Sequence, residues 1–167
     1  MLLGILSDTH DQLVRTRLAV SLLRESGAEV LIHCGDLAKP EIVAACAVLP
    51  TYFVLGNWDA DNVPALRKAA EESGAVCLGW GDTIILDGKR IGVVHGHMRI
   101  DVRRVMATKP HYLLSGHSHI AIDHYDGDVR RINPGALYDA DQFTVAVLDL
   151  ENDSVQFLSV PSTDCAG

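Results

Sequence analysis

Long hydrophobic runs, basic residues and aromatic residues are all scarce in this sequence of 167 residues. No stretch approaches the ~18 consecutive apolar residues of a membrane span, so no membrane association is expected. The apolar run Leu2–Leu6 ends at Ser7 and lacks the basic flank of a secretion signal. Lys and Arg number 14 against 22 acidic residues, which gives a net charge of −8. Stable nucleic-acid binding needs a basic field and is not expected either.

The cysteines indicate neither a disulfide framework nor a zinc motif, because none of the four belongs to a CxxC pair. Cys34, Cys46 and Cys77 are predicted to be small buried hydrophobic residues, and Cys165 to be a thiol of the C-terminal tail. Reduced cysteines, together with the missing targeting signal, predict a cytoplasmic location.

Apolar residues make up 48% of the chain, which is enough for a core, and the length predicts one domain over residues 1–167. The acidic residues are 16 Asp but only 6 Glu. Because Asp favours caps, turns and metal sites, we expect bound cations to offset part of the negative charge.

Short apolar runs alternate with helical periodicity in the first half, which is typical of parallel strands. The predicted strands and helices are Leu2–Leu6, Gln12–Ser26, Val30–His33, Pro40–Leu49, Tyr52–Leu55 and Val63–Ser73. In the second half, Asp-Gly turns and alternating residues favour antiparallel hairpins. Its predicted elements are Thr83–Leu86, Arg90–Val94, helix Ile100–Thr108, Tyr112–Leu114, Ala121–Tyr125, Val129–Ile132, Phe143–Leu150 and Val155–Val160. Two packed sheets with outer helices would satisfy both patterns.

Polar residues follow five of the predicted strands directly. They are Ser7-Asp8-Thr9-His10, Gly35-Asp36, Gly56-Asn57, His95-Gly96-His97 and Gly116-His117-Ser118-His119. Ligands of α/β sheets bind beyond the carboxyl ends of strands, so these segments are expected to converge. Asp8-x-His10 and His117-x-His119 would point to one side in an extended backbone. Each motif alone is common, but five in succession at strand ends indicate a common site.

The converging side chains form a set of oxygen and nitrogen donors without a thiol. The set consists of Asp8, His10, Asp36, Asn57, His95, His117 and His119. Such donors suit Mn²⁺, Mg²⁺, Zn²⁺ or Fe²⁺. Seven ligands exceed one tetrahedral site but fit two ions that share a carboxylate.

This series of motifs resembles the signature of the calcineurin-like metallophosphoesterases over roughly residues 3–137. The short chain and Ile132-Asn133-Pro134-Gly135 resemble the small phosphodiesterase branch, to which the retromer scaffold subunit is related. The resemblance implies an α/β fold, a four-layer α/β/β/α sandwich with two mixed β-sheets. It also implies that Asn133-Pro134-Gly135 lies near the site without ligating.

The resemblance further implies two divalent ions, with Mn²⁺ expected and Mg²⁺, Ni²⁺, Zn²⁺ or Fe²⁺ as alternatives. One ion would be held by Asp8, His10, Asp36 and His119, and the other by Asp36, Asn57, His95 and His117. Asp36 would bridge them, and a hydroxide between the ions would attack a small phosphodiester substrate. His97, Asn57 and Asp36 are therefore the predicted catalytic residues, with His97 as general acid or as a phosphate contact.

Trp58 stands where many family members have a histidine that assists phosphomonoester hydrolysis. Indole cannot transfer a proton at neutral pH, so we expect better activity on diesters than on monoesters. Trp58 could alternatively stack on an aryl group or nucleobase, or simply pack at the site's edge. Asp59 is expected either to cap the helix near Val63 or to support the site from behind.

Other charged or titratable residues receive weaker predictions. His33 is expected in the core or behind the site. The helical arginines are expected to be mostly solvated, namely Arg15, Arg17, Arg99, Arg103 and Arg104. Two other functions stay open: a non-catalytic metal-binding scaffold of the retromer-subunit type, and a phosphomonoesterase. The small branch often forms dimers or larger assemblies, which leaves a homo-oligomer open.

Overall fold

Two β-sheets pack face to face, and helices cover their outer faces. The computed structural model describes residues 1–162, so the prediction for Cys165 lies outside the described residues. Three helices lie on the first sheet and one on the second, which confirms the predicted four-layer α/β/β/α sandwich with two mixed sheets.

The elements alternate in the first half as the sequence predicts. In chain order they are β1 (Leu2–Leu6), α1 (Leu13–Glu25), β2 (Val30–His33), α2 (Pro40–Cys46), β3 (Thr51–Phe53), a 3₁₀ helix (Asn57–Asn62), α3 (Val63–Ser73) and β4 (Val76–Cys77). The second half contains β5 (Gly81–Leu86), β6 (Lys89–Val94), α4 (Arg99–Met106), β7 (Tyr112–Leu114), β8 (Ala121–Asp126), β9 (Val129–Pro134), β10 (Thr144–Asp149) and β11 (Ser154–Ser159). The 3₁₀ helix and β4 were not predicted.

The strand order is β11-β10-β1-β2-β3-β4 in the first sheet and β5-β6-β7-β9-β8 in the second. Strands β1, β2 and β3 run parallel, as predicted, and the additional strand β4 runs parallel to β3. The second half forms three antiparallel hairpins, but β6, β7 and β9 also run parallel to one another, which the hairpin pattern did not predict. Parallel strands of both sheets therefore end at the same side of the molecule.

Fully buried aliphatic side chains join the layers. Leu3, Ile5 and Ile32 of the first sheet face Ile91 and Val93 of the second. This alternation leaves Leu6, Leu23 and Leu31 to fill the layer between the first sheet and its helices. Within residues 1–162, no helix combines the length and hydrophobicity needed to cross a bilayer.

One predicted boundary and one predicted burial are wrong. Helix α2 ends at Cys46 rather than at Leu49, because the Thr51 hydroxyl donates hydrogen bonds to the carbonyls of Cys46 and Leu49, each at 2.9 Å. Cys34 and Cys46 are buried as predicted, whereas Cys77 in β4 is only partly buried.

Candidate metal centre

Five loops bring the predicted ligands together at the carboxyl ends of β1, β2, β3, β6 and β7. The Asp8 N–H donates to the Gly35 carbonyl at 3.0 Å, and the His10 N–H donates to the Asp36 carbonyl at 3.0 Å. The Gly116 N–H donates to the His95 carbonyl at 3.0 Å. Each sheet therefore holds its own ligand loops in register through backbone hydrogen bonds.

Asp8 uses its two carboxylate oxygens differently. Its Oδ2 accepts hydrogen bonds from the Ser7 hydroxyl at 2.5 Å and from the His117 N–H at 3.0 Å. Its Oδ1 is buried without a hydrogen-bond partner. That oxygen faces the Nε2 atoms of three histidines: His10 at 3.8 Å, His95 at 3.9 Å and His119 at 3.2 Å.

The two carboxylate oxygens of Asp36 also have different partners, and the residue lies between two histidines. Its Oδ1 accepts the Trp58 N–H at 2.9 Å. Its Oδ2 is 3.3 Å from Nε2 of His10 and 3.3 Å from Nε2 of His95. One oxygen thus fixes the carboxylate to the backbone, and the other faces ligands on both sides.

Two of the histidines are oriented by backbone carbonyls. His95 Nδ1 donates to the Cys34 carbonyl at 2.8 Å, and His119 Nδ1 donates to the Asp139 carbonyl at 2.9 Å. These bonds leave each Nε2 directed at the carboxylates, as is usual for metal-binding histidines. His95 Nε2 also lies 3.1 Å from Asn57 Oδ1, which brings the amide into the cluster.

His117 is placed less closely than the other six predicted ligands. Its ring centroid is 5.1 Å from that of His95, and its side chain is exposed. Within residues 1–162, acidic and histidine side chains form two groups whose ligand atoms all lie within 4.8 Å of one another. One group is Asp8, His10 and His119, and the other is Asp8, Asp36 and His95.

The extended backbone predicted for the pairs Asp8-x-His10 and His117-x-His119 is wrong. Asp8 (φ 53°), His10 (φ 41°), His117 (φ 69°) and His119 (φ 60°) all have left-handed backbone rather than the extended backbone assumed from the sequence. Asp36 shares this conformation at φ 59°. Strained positive-φ residues persist where the surrounding structure fixes them, and they concentrate at functional sites.

Glycines make the close approach of these loops possible. A Cβ on Gly56 would lie 2.1 Å from Asp36 Oδ1. A Cβ on Gly116 would lie 2.0 Å from the Ser7 hydroxyl and 2.6 Å from Asp8 Oδ2. Any side chain at these two positions would displace the carboxylates.

The ionisable groups are strongly coupled. Burial alone would raise the pKa of Asp8 and Asp36, but the nearby imidazoles of His10 and His95 hold both below the usual range. Burial opposes protonation of His10, yet Asp36 and Asp8 together raise its pKa to about 9. The same carboxylates raise the pKa of His95. The carboxylates therefore stay ionised and attract positive charge.

The donor set fits divalent cations. Within residues 1–162, the buried atoms without a hydrogen-bond partner include Asp8 Oδ1 and both ring nitrogens of His10. Unpaired buried polar atoms are costly, and a bound cation would satisfy Asp8 Oδ1 and His10 Nε2. Carboxylate, amide and imidazole donors without thiolate suit borderline to hard divalent ions.

Asp59 supports the centre from behind and does not cap the following helix. Its buried carboxylate accepts the N–H groups of Asp36 at 2.9 Å, Ala38 at 2.8 Å and Gly56 at 2.8 Å. It thereby ties together the loops after β2 and β3. Burial raises the pKa of this carboxyl despite those hydrogen bonds.

His33 lies behind the site, as expected. Its Nδ1 accepts the Gly35 N–H at 3.2 Å, so the proton resides on Nε2, which is 3.1 Å from the Thr9 hydroxyl. Burial lowers its pKa to about 3. A neutral His33 thus links the loops after β1 and β2.

Arg15 was predicted to be solvated on its helix, but this prediction is wrong because the residue is buried. Its guanidinium donates to the Leu137 carbonyl at 2.6 Å and lies 3.7 Å from the Phe143 ring centroid. It holds the segment between β9 and β10, which the sequence did not connect with the site. This segment supplies the Asp139 carbonyl to His119 and places Tyr138 on His10, with ring centroids 4.6 Å apart.

His97 and Asn133 lie at the edge of the cluster. The His97 ring is 5.4 Å from His95 and 6.2 Å from His117, and burial and these neighbours lower its pKa. Asn133 is the penultimate residue of β9 and donates to the Gly116 carbonyl at 2.8 Å. It is near the site and holds the loop after β7, as the resemblance implied.

Comparison with known proteins gives one consistent result. The calcineurin-like phosphoesterase superfamily domain matches residues 1–153. Phosphodiesterase MJ0936 of Methanocaldococcus jannaschii is 25% identical over 159 residues, which cover 90% of this chain and 94% of that protein.

Solved structures share the fold. An archaeal phosphodiesterase superposes with a TM-score of 0.86 at 24% identity, covering 96% of this chain and 100% of that one. Vps29 of Entamoeba histolytica in complex with Zn²⁺ gives a TM-score of 0.60 at 18% identity, covering 96% of this chain and 98% of that one.

Proposed function

Because the chain belongs to the calcineurin-like phosphoesterase superfamily, we propose that it is a metal-dependent phosphodiesterase that hydrolyses small phosphodiesters at a binuclear centre. The observation that carries this proposal is that the two carboxylate oxygens of Asp8, and likewise those of Asp36, have different partners. In each carboxylate one oxygen is fixed by hydrogen bonds and the other faces histidine Nε2 atoms. The name of the relative MJ0936 supports activity on diesters.

The proposed ligand sets follow the geometry. Asp8, His10, Asp36 and His119 would hold one ion. The position of Asp36 Oδ2 between His10 and His95 supports its role as the shared ligand. Asn57, His95 and His117 would complete the second set, although His117 contacts neither carboxylate through its ring.

When bound, two divalent ions would lower the pKa of a coordinated water and neutralise charge on the phosphoryl oxygens. The protein's own residues would supply the remaining steps. Asn57 and His117 lie on the exposed side, where a phosphoryl group can enter. His97 borders this entrance, and because its lowered pKa leaves the imidazole neutral at neutral pH, its proposed role is to donate a hydrogen bond to the phosphate rather than to transfer a proton.

Trp58 supports diesters as the better substrates. Its indole ring stands 4.7 Å from the His10 ring and cannot protonate a leaving group. In the family, the histidine at this position assists phosphomonoester hydrolysis, so its replacement by Trp58 disfavours monoesters. Mn²⁺ is the proposed ion.

A substrate panel tests this function. Bis(4-nitrophenyl) phosphate and 4-nitrophenyl phosphate are assayed in parallel with Mn²⁺, Mg²⁺, Ni²⁺ and Zn²⁺, before and after EDTA treatment. We expect EDTA to abolish turnover, Mn²⁺ to restore it, and kcat/KM to be higher for the diester. Full activity after EDTA would remove the metal from the mechanism. Faster turnover of the monoester would favour a phosphomonoesterase, and turnover of neither would favour a scaffold.

A further inference from the structure

Aromatic rings border the candidate centre on two sides. The chain has only two tryptophans, and both lie there. The Trp58 ring centroid is 4.7 Å from that of His10, and the Trp80 centroid is 5.9 Å from that of His97. Tyr138 stacks on His10 and lies 6.4 Å from Trp58. We call Trp58 and Tyr138 the aromatic rim.

The aromatic rim leaves much of its surface in water. Trp58 is 57% exposed and Tyr138 is 36% exposed. Neither ring belongs to any of the three core clusters found in residues 1–162. Large apolar rings that stay exposed beside a functional centre favour a bound ligand over a packing role.

The backbone that carries both rings is fixed before any ligand binds. The Trp58 N–H is bonded to Asp36 Oδ1 at 2.9 Å, and its neighbour Asp59 is buried with three N–H groups on its carboxylate. The Leu137 N–H, one residue before Tyr138, donates to the Asp8 carbonyl at 3.2 Å. Rigid aromatic surfaces bind planar groups with little loss of side-chain entropy.

We propose that the aromatic rim binds a planar aromatic substituent of the substrate, so that phosphoesters carrying an aryl group or a nucleobase are the preferred class. This inference rests on the proposed function, because it requires the phosphoryl group to be bound at the candidate centre. Both rings of the rim lie next to this centre, with Trp58 4.7 Å and Tyr138 4.6 Å from the His10 ring. Stacking of a base on an aromatic side chain changes affinity by roughly tenfold to a hundredfold.

Competitive inhibition distinguishes binding of the ligand's aromatic group from binding of its phosphate. AMP, phenyl phosphate and ribose 5-phosphate are tested against diester hydrolysis by the Mg²⁺-loaded protein. We expect Trp58→Ala to weaken AMP, phenyl phosphate or both by about tenfold while ribose 5-phosphate is unchanged. Trp58→Phe should restore most of the affinity. Loss confined to AMP would identify a nucleobase, and loss confined to phenyl phosphate an aryl ester.

Two results would overturn the inference. Equal weakening of all three inhibitors would mean that Trp58 only supports His10, and no weakening would mean that the rim binds nothing. Phe157→Ala removes another exposed aromatic ring, on β11, and serves as the control.

Fluorescence tests the rim without turnover. In the Trp80→Phe protein, Trp58 is the remaining tryptophan, and AMP or phenyl phosphate should quench its emission more than ribose 5-phosphate does. Quenching without hydrolysis of any diester would refute the proposed function but keep the rim. Hydrolysis without ring-dependent quenching would refute the rim and keep the proposed function.

Discussion

The two sides of the candidate centre differ in how firmly the protein holds its ligands. On one side, Asp8, His10, Asp36 and His95 are buried, and both carboxylates are fixed through one oxygen. On the other side, Asn57 and His117 are exposed, and the His117 ring lies 5.1 Å from its histidine neighbour. We expect the buried side to hold an ion tightly, and the exposed side to admit substrate and to hold an ion more loosely.

The largest effect is expected from Asp36→Asn, which would remove the shared charge while keeping the shape. We expect kcat for the diester to fall by at least about a hundredfold, because the ions that would stabilise charge on the phosphoryl oxygens would lose their shared ligand. Steady-state kinetics with saturating Mn²⁺ measures this. Asp61→Asn, an exposed position of the same 3₁₀ helix that carries Trp58, is the control. Activity close to that of the unaltered protein would contradict the central role of Asp36.

Paired histidine variants sharpen the comparison between the sides. His119 Nε2 is 3.2 Å from Asp8 Oδ1, so His119→Ala should weaken the tightly held ion by roughly 10–100-fold. His117→Ala should leave that ion unchanged and weaken the other. Calorimetric titration with Mn²⁺ resolves the two events. Equal effects of both variants on the tight event would show that the sides are equivalent.

The buried side should also respond to pH. The pKa of His10 is raised from 6.5 to about 9, so His10 carries a proton at neutral pH that a metal ion must displace. The affinity for a divalent ion should therefore rise about tenfold per pH unit between pH 6.5 and 9.

Stability should follow the opposite trend without metal. A raised folded-state pKa contributes stability that is fully present below pH 6.5 and is lost as the pH rises through about 9. The lowered pKa values of Asp8 and Asp36 add nothing to this window, because those groups are ionised throughout it. Thermal unfolding is measured as a function of pH, once with EDTA and once with Mg²⁺. The first series gives the pH dependence of metal-free stability, and the difference between the two series gives that of metal binding. Parallel slopes would contradict the competition between proton and metal.

The smallest effect on activity is expected from Arg15→Ala, which acts through the segment between β9 and β10. Losing a buried guanidinium that binds a carbonyl and covers an aromatic ring should lower the free energy of unfolding by about 2 kcal/mol. Activity should fall less than for any ligand variant. Urea unfolding measures the loss, and Arg17→Ala on the exposed face of α1 is the control. Equal stabilities of the two variants would contradict the anchoring role.

The residues of the centre could be predicted because each follows an apolar strand directly. Asp8, Asp36 and His95 carry this signal in two or three consecutive residues, and parallel strands bring such ends to one edge. The resemblance to a family added the pairing of the two ligand sets. The left-handed backbone of Asp8 and His119 had no sequence signal, because it results from loops that fix one another.

The supporting residues were harder to predict because their partners are distant. Arg15 contacts Leu137 and Phe143, more than a hundred residues along the chain, so helical periodicity alone placed it in solvent. Tyr138 lies in a segment without strand or helix pattern. Asp59 was ambiguous, since an acid near a helix start can cap that helix or, as here, bind the N–H groups of neighbouring loops.

The central claim is that two ions share Asp36, and an anomalous-scattering map from crystals grown with Mn²⁺ tests it most directly. The account predicts two peaks, one on each side of the Asp36 carboxylate, with Asp8, His10 and His119 at the first and Asn57, His95 and His117 at the second. A single peak, or peaks away from Asp36, would contradict it.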